Sequence, residues 1–203
     1  MTESSPAVAA VILAAGASTR LGEPKQLIEH EGVTLVRRAV LAAARAGAAP
    51  VIVVLGANSQ RVSDAVHDID DVIVVDNPSW QSGIASSLAA GLSAVADSDG
   101  ALITLCDQPL VNEDSLTALI GAFARGSRIV ASQYAGAIGV PVVIGREHFA
   151  ELMRLEGDRG AAHWLRKAEG VTMIPLPAAI LDIDTKEDAA RLRALDQLIT
   201  ETR

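Results

Sequence analysis

A chain of 203 residues is long enough for one large domain that buries about 70% of its unfolded surface. With 50% hydrophobic but only 2% aromatic residues, its core has to be built from Ala, Val, Leu and Ile, and a net charge of −8 excludes general binding to nucleic acid or anionic membrane while leaving room for a local basic pocket. The single cysteine, Cys106, excludes an internal disulfide, and no basic leader or run of about 18 apolar residues is present, so a soluble protein of the reducing cytoplasm is expected.

Along the chain, short apolar runs alternate with longer stretches of helical spacing. Residues 1–6 are polar and expected to be disordered, ahead of a first strand at 7–13 (AVAAVIL) that runs straight into a glycine-containing loop. The spacing predicts a helix at 34–47 that stops at Gly47, a strand at 50–56, a helix near 58–67 and a third strand at 72–76. A helix at 84–96, a strand at 100–107 and a helix at 113–124 complete four strand–helix units. Val/Ile-rich strands without polar alternation are those buried on both faces, and consecutive parallel strands need crossover connections. The expected fold is therefore α/β, a three-layer, doubly wound domain with a mostly parallel, mixed sheet. The second half is less regular, with strands expected at 128–134, 139–145, 171–176 and 180–184 and helices at 147–155 and 160–168. The last helix opens with Thr185 and Asp188 at capping-box spacing. No repeat or linker divides the chain, and one domain over 1–203 is expected.

The loop after the first strand reads LAAGASTRLGEPKQL (13–27). In open parallel sheets ligands sit beyond the carboxyl ends of the strands. Gly16 and Gly22 permit positive φ and close approach of backbone N–H groups to phosphate oxygens, while Arg20 and Lys25 supply a planar fork and a mobile point charge. The combination suits a nucleoside triphosphate; for G-x5-G-x2-K alone, a solvated loop whose glycines only turn the chain is the alternative. Neither familiar phosphate loop is present. Five residues separate the glycines where a Walker loop has four, with Lys25 further on, and G-x-G-x-x-G is absent.

The full string, LAAG-x-S-x-R-x-G-x-P-K-x-L, closely resembles the signature of the nucleotidyltransferases that activate sugars, alcohols and cofactors, the MobA-like NTP transferase superfamily. VVLG (53–56), NPSWQSGIASSLAAGL (77–92), LCDQPLV (105–111), IVASQYAGAIGVP (129–141), GDRGA (157–161) and DIDTKEDAARL (182–192) extend the resemblance toward its molybdenum cofactor cytidylyltransferase group. The resemblance implies a Rossmann-like nucleotidyltransferase fold and a Mg2+-dependent transfer of NMP from an NTP to a phosphorylated acceptor, with release of pyrophosphate. Molybdopterin, as the molybdenum cofactor, is the acceptor implied first, with a molybdenum hydroxylase receiving the product. LAAG, in place of the LAGG common in guanylyltransferase relatives, favours CTP as donor. The alternatives are another phosphorylated acceptor, such as a sugar phosphate or phospholactate with GTP or UTP, and a non-catalytic carrier of the cofactor.

Under the resemblance, the backbone of Leu13, Ala14, Ala15, Gly16 and Gly22 binds the nucleotide, and Arg20 and Lys25 neutralise its phosphates as catalytic cations. Asp107 in CDQP and Asp184 in DIDT hold the metal. Such a transfer rests on charge neutralisation and in-line positioning, with no side-chain nucleophile, and Mg2+ takes one or two carboxylates beside phosphate oxygens. Asp107 and Asp184 lie 77 residues apart, so folding alone can join them; without the resemblance they read as caps of the turn before Pro109 and of the last helix. Asp182 is a weaker candidate for the metal, with an outer or purely structural role as the alternative to ligation. Ser87 is implied at the base or ribose, where the residues alone give a helix N-terminus capped by serines. Trp80, Asp158 and Arg159 are implied at the acceptor, with Trp80 equally readable as a loop anchor. Cys106 reads as a buried strand residue, and His30, His67, His148 and His163 have no metal-ligand spacing. Leu21 and Ile84 stand where methionine is common, Lys186 replaces a usual proline at the helix start, and Ala162 replaces a frequent arginine whose charge Arg159 could supply.

Overall fold

Val8–Leu13 carries no polar residue on either face, and it forms the strand (β1) around which the sheet is built. The computed structural model describes residues 5–201, so residues 1–4 of the segment expected to be disordered lie outside the described residues. After the signature loop come a single 3-10 turn at Lys25–Leu27 and a small antiparallel hairpin, β2 (Glu29–His30) and β3 (Val33–Thr34). Then α1 (Leu35–Arg45), β4 (Val51–Leu55), α2 (Ser59–Asp64), β5 (Val72–Asp76), α3 (Ile84–Ala94), β6 (Gly100–Leu105) and α4 (Glu113–Ala124) realise the expected strand–helix units. The chain continues through β7 (Ile129–Tyr134), β8 (Ala137–Gly145), α5 (Phe149–Leu152), α6 (Ala161–Leu165), β9 (Val171–Pro175) and α7 (Lys186–Glu201).

Among the described residues, seven strands form one sheet in the order β5-β4-β1-β6-β8-β7-β9. Strands β5, β4, β1 and β6 are parallel, β8 runs antiparallel to both β6 and β7, and β9 is parallel to β7. The mixed, mostly parallel α/β sheet read from the sequence is borne out. Alternate residues of β1 feed two cores, as the strand period of two requires. Val8, Ala10 and Ile12 pack with Val36, Val40, Leu119 and Phe123 of α1 and α4, while Ala9, Val11 and Leu13 pack with Leu88, Leu92 and Trp164 of α3 and α6. A third cluster, Leu21, Ile28, Leu35, Ile183, Ala189 and Leu192, pins α7 to the signature loop and the segment after it.

The segment at 180–184, expected as a strand, is not one. It follows a 3-10 turn at Pro177–Ile180, and the buried Ile183 gives its amide to the carbonyl of Asp107 rather than to a ladder. The strand at 72–76 forms, but at the sheet edge, so it is not buried on both faces; Ile73 is 48% and Val74 37% exposed. The helices expected at 147–155 and 160–168 shorten to α5 and α6, because each has only one apolar turn to bury: Phe149 with Leu152, and Ala161 with Trp164 and Leu165. No helix among the described residues is long and apolar enough to cross a membrane. The register pairs Leu13 of β1 with Val54 of β4 and Leu105 of β6, so three parallel strands end level at one edge.

Candidate active site

At that edge the Lys25 ammonium sits between two carboxylates from distant parts of the chain. Its Nζ donates to Asp107 Oδ2 and, at 2.8 Å, to Asp184 Oδ1. Arg20 Nη2 donates to the other oxygen of Asp184, also at 2.8 Å. Asp107 stands just beyond β6, and the amide of Ile183 donating to the Asp107 carbonyl at 2.9 Å brings Asp184 beside it. Thr185 and Asp188 then form the expected capping box, the Thr185 amide donating to Asp188 Oδ2 at 2.9 Å and the Asp188 amide to Thr185 Oγ1 at 3.2 Å. Thr185 and not Asp184 caps α7, and the Asp184 carboxylate is left to Lys25 and Arg20.

The charges set one another's protonation. Burial alone would lower the pKa of Lys25, but the Asp107 and Asp184 carboxylates outweigh it and hold the ammonium above its ordinary value. The hydrogen bond from Lys25 holds the Asp184 carboxyl below the usual range against the opposing effect of burial, with the charge of Arg20 adding to it. Asp182 is the reverse case: burial, then the charges of Asp107 and Asp184, push its carboxyl up. The Cys106 thiol, pushed up to about 12 by burial and by the Asp107 charge, is a buried structural residue and no nucleophile.

Gln26, which the sequence did not single out, organises the loop. Fully buried, it donates through Nε2 to the carbonyls of Ala14 and Gly16 at 2.8 Å each, and the Ala57 amide donates to the Ala15 carbonyl at 3.0 Å. Three consecutive carbonyls are thus turned away from an anionic ligand. The Lys25 amide donates to Ser18 Oγ at 3.1 Å, and the Leu21 and Gly22 amides donate to the Ser18 carbonyl. Gly22 has the expected positive φ (84°), but Gly16 does not; Ser18 (φ 55°) makes the other left-handed turn, held there by these bonds.

A cleft of about 330 Å³ opens beside the cluster, lined among others by Leu13, Ala15, Gly16, Lys25, Ser87 and Asp107. Trp80 and Asp158 line it as well. Ala14, Arg20, Gly22, Asp184 and Arg159 are not among its lining: Ala14 is buried, Arg20 and Asp184 lie on the Lys25 side, and Arg159 is exposed. Trp80 both lines the cleft and anchors its loop, pressed so close to Gly56 that a Cβ there would come within 2.6 Å of the indole. The Ser87 hydroxyl accepts from Asn77 Nδ2 at 3.0 Å, as Ser86 does at 2.9 Å, while Asn77 Oδ1 accepts from the Ser79 amide at 3.0 Å. Asn77 therefore ties the start of α3 to the loop before it. The GDRGA loop reaches the cleft at Gly83 (φ 110°), where a Cβ would lie 2.3 Å from the Gly157 carbonyl.

The donor set suits a hard divalent cation. Asp107 Oδ1 is buried without a hydrogen-bond partner, which is costly for a carboxylate unless a cation takes that oxygen. Among the described residues no three His, Cys, Asp or Glu converge to cage an ion. Asp107 and Asp184 would therefore share it with phosphate oxygens and water.

Residues 10–171 match the model of the MobA-like NTP transferase domain. The chain belongs to this family. As a MobA-like NTP transferase it is a nucleotidyltransferase of a metal-dependent class, as its motifs imply. This MobA-like protein is 35% identical over 172 residues, 80% of its own length and 83% of the relative's, to a Paenarthrobacter nicotinovorans protein named nicotine blue oxidoreductase. The crystal structure of the Mycobacterium tuberculosis Rv0371c homologue from Mycobacterium sp. strain JC1 is similar at TM-score 0.79 and 34% identity, covering 94% of this chain and 98% of that one. The manganese complex of Rv0371c from Mycobacterium tuberculosis H37Rv is similar at TM-score 0.75 and 31% identity, covering 92% and 97%.

Proposed function

We propose that this MobA-like NTP transferase moves the NMP of an NTP, CTP in preference, to a phosphorylated acceptor, with molybdopterin first among acceptors, and releases pyrophosphate. The observation that carries the reading is the Lys25 ammonium held between Asp107 and Asp184 beside the cleft. Three segments of the chain converge there on the charges a triphosphate and its metal require. The backbone at Leu13–Gly16 and Gly22 holds the phosphates, and Arg20 and Lys25 neutralise the charge that grows on the leaving pyrophosphate. Asp107 and Asp184 would hold Mg2+, which when bound draws charge from the phosphate oxygens; the manganese complex of a relative supports a divalent ion. Asp182 stands behind them as an outer partner. Ser87, fixed by Asn77, borders the nucleoside, and Trp80, Asp158 and Arg159 border the acceptor. In-line attack by the acceptor phosphate on the α-phosphorus then needs orientation and no nucleophilic side chain.

One domain spans 1–203 in this reading, supported by a sheet that draws strands from residues 8 to 175 and by the packing of α7 on the loop. The buried, unpaired Cys106 supports a reducing cytoplasm, where a molybdenum hydroxylase would receive the product. The name of the Paenarthrobacter relative favours one other reading, in which the cleft serves an oxidoreductase step in place of nucleotidyl transfer. Calorimetric titration of CTP, GTP, ATP and UTP with Mg2+, on wild type and Lys25→Ala, followed by pyrophosphate release with competing acceptors, tests the proposal. Selective triphosphate binding that weakens in the variant supports it. Binding of a reduced nicotinamide dinucleotide and of no NTP turns it to the redox reading, and tight pterin binding without pyrophosphate release turns it to a carrier.

A further inference from the structure

Both cations of the signature loop already have anionic partners. Lys25 is held by Asp107 and Asp184, and Arg20 by Asp184. On the outer side of the loop Arg193 pairs with Glu23 at 3.0 Å, and Arg191 pairs with Asp188 at 3.7 Å. With Asp182 two residues before Asp184, the chain sets three acids against two bases here, and a divalent cation on Asp107 and Asp184 leaves the site only just positive. That is a poor balance for a ligand that is itself a polyanion.

Lys186 differs from all of these. It is exposed, and among the described residues it has no carboxylate partner. Its side chain runs along the signature loop, with Cε 3.6 Å and Nζ 4.0 Å from where a Cβ on Gly22 would stand. It is the first residue of α7, where the helix dipole opposes a cation and favours the Glu187 and Asp188 that follow. Helix stability therefore does not explain a lysine here. A hollow of about 290 Å³ bordered by Gly22, Lys186 and Arg193 keeps this side of the loop open. Gly22 lies at the end of the loop remote from Ala15 and Gly16, which line the cleft.

We infer that Lys186 is a third cation of the triphosphate site, reaching from α7 over the Gly22 end of the loop to the distal phosphates of the bound NTP and to the pyrophosphate that leaves. The inference rests on the transferase reading and refines it: Arg20 and Lys25 must exchange carboxylate partners for phosphate, whereas Lys186 meets the ligand with nothing to give up. Its flexible stem and point charge suit a mobile polyphosphate end.

Lys186→Pro removes the cation while placing at the first helical position a residue favoured there, so folding is spared. Lys186→Met keeps the stem, and Lys186→Arg keeps the charge. Binding of CTP, CMP and inorganic pyrophosphate with Mg2+ is measured by calorimetry on wild type and all three, at two salt concentrations. Lys186→Pro and Lys186→Met are expected to weaken CTP and pyrophosphate roughly five- to tenfold, to leave CMP within about twofold, and to flatten the salt dependence, with Lys186→Arg close to wild type. CTP and pyrophosphate binding unchanged in both neutral variants overturns the inference and leaves the transferase reading standing. Equal loss of CTP and CMP also overturns it, since that marks a structural residue. No NTP binding by the wild type overturns the transferase reading and the inference with it.

Discussion

Replacing Lys25 with Met removes the cation between Asp107 and Asp184 while keeping a side chain of similar length. The Lys25 and Asp107 side chains are 17% and 9% exposed, so water cannot replace the lost partner, whereas Asp184 is 33% exposed and keeps Arg20. Breaking a buried pair from one side costs about 3–5 kcal/mol. Discounting for the exposure of Asp184 leaves an expected loss of about 2–3 kcal/mol in EDTA at neutral pH, or a fall in Tm of roughly 4–12 °C for a chain of this size. The pH dependence has a definite sign. The folded pKa of Asp184 lies below its ordinary 3.8, so its share of stability is present above that value and is lost as pH falls through the folded pKa. The folded pKa of Lys25 lies above 10.5, so its share is present below that value and is lost as pH rises through the folded pKa. In the variant the Lys25 share goes and Asp184 keeps only the part that Arg20 holds, so the gap to wild type narrows as the medium becomes acidic. A divalent cation can occupy the vacated place, so millimolar Mn2+ should raise the Tm of Lys25→Met more than that of wild type, even though the variant binds NTP more weakly. Thermal and urea denaturation with EDTA, Mn2+ or Mg2+–CTP measures all of this. A variant as stable as wild type in EDTA, or one that gains no more from Mn2+, would refute the reasoning.

Gln26→Leu leaves the buried Ala14 carbonyl unpaired and the Gly16 carbonyl to water while also removing the unpartnered Gln26 Oε1, and an expected net loss of about 1–2 kcal/mol should appear in urea melts together with faster amide exchange in the loop. Gly83→Ala drives a Cβ to 2.3 Å from the Gly157 carbonyl at a φ of 110°, so a loss above about 2 kcal/mol and easier proteolysis near 157–160 are expected. Asp182→Asn removes a carboxyl that is costly to ionise in the folded state. Because the folded pKa is raised, the variant should be more stable than wild type above pH 4 in EDTA, by less than about 1 kcal/mol after solvent screening, with the gain vanishing in acid.

The first half of the fold was legible because the apolar runs of β1, β4 and β6 bury alternate residues in two different cores, and such runs read clearly as strands; the edge strand at 72–76 and the helix at 113–124 also carry the expected bounds. The pattern at 180–184 misled for a physical reason. A single inward Ile183 flanked by two acids has the period of a strand, but the acids are turned to a charge cluster and the amide to Asp107, so no ladder forms. The two-residue strands β2 and β3 are too short to show any period. Residue type and resemblance could nominate Lys25, Asp107 and Asp184, while their shared hydrogen bonds are visible only in the folded chain. Gln26 and Asn77 escaped notice because an amide that satisfies buried backbone has the same spacing as one that faces water.

The amide of Ile183 reaching back to Asp107 also sets an order in time. During synthesis the chain lengthens at ~5–20 residues per second, so after β1 is made on the order of ten to thirty seconds pass before residues 182–184 exist. Through that interval the sheet strands up to β9 can already be present while Asp107 and Lys25 lack their third partner. A nascent or prematurely ended chain would thus own the signature loop, Lys25 and Asp107 and yet lack the second carboxylate of the charge cluster.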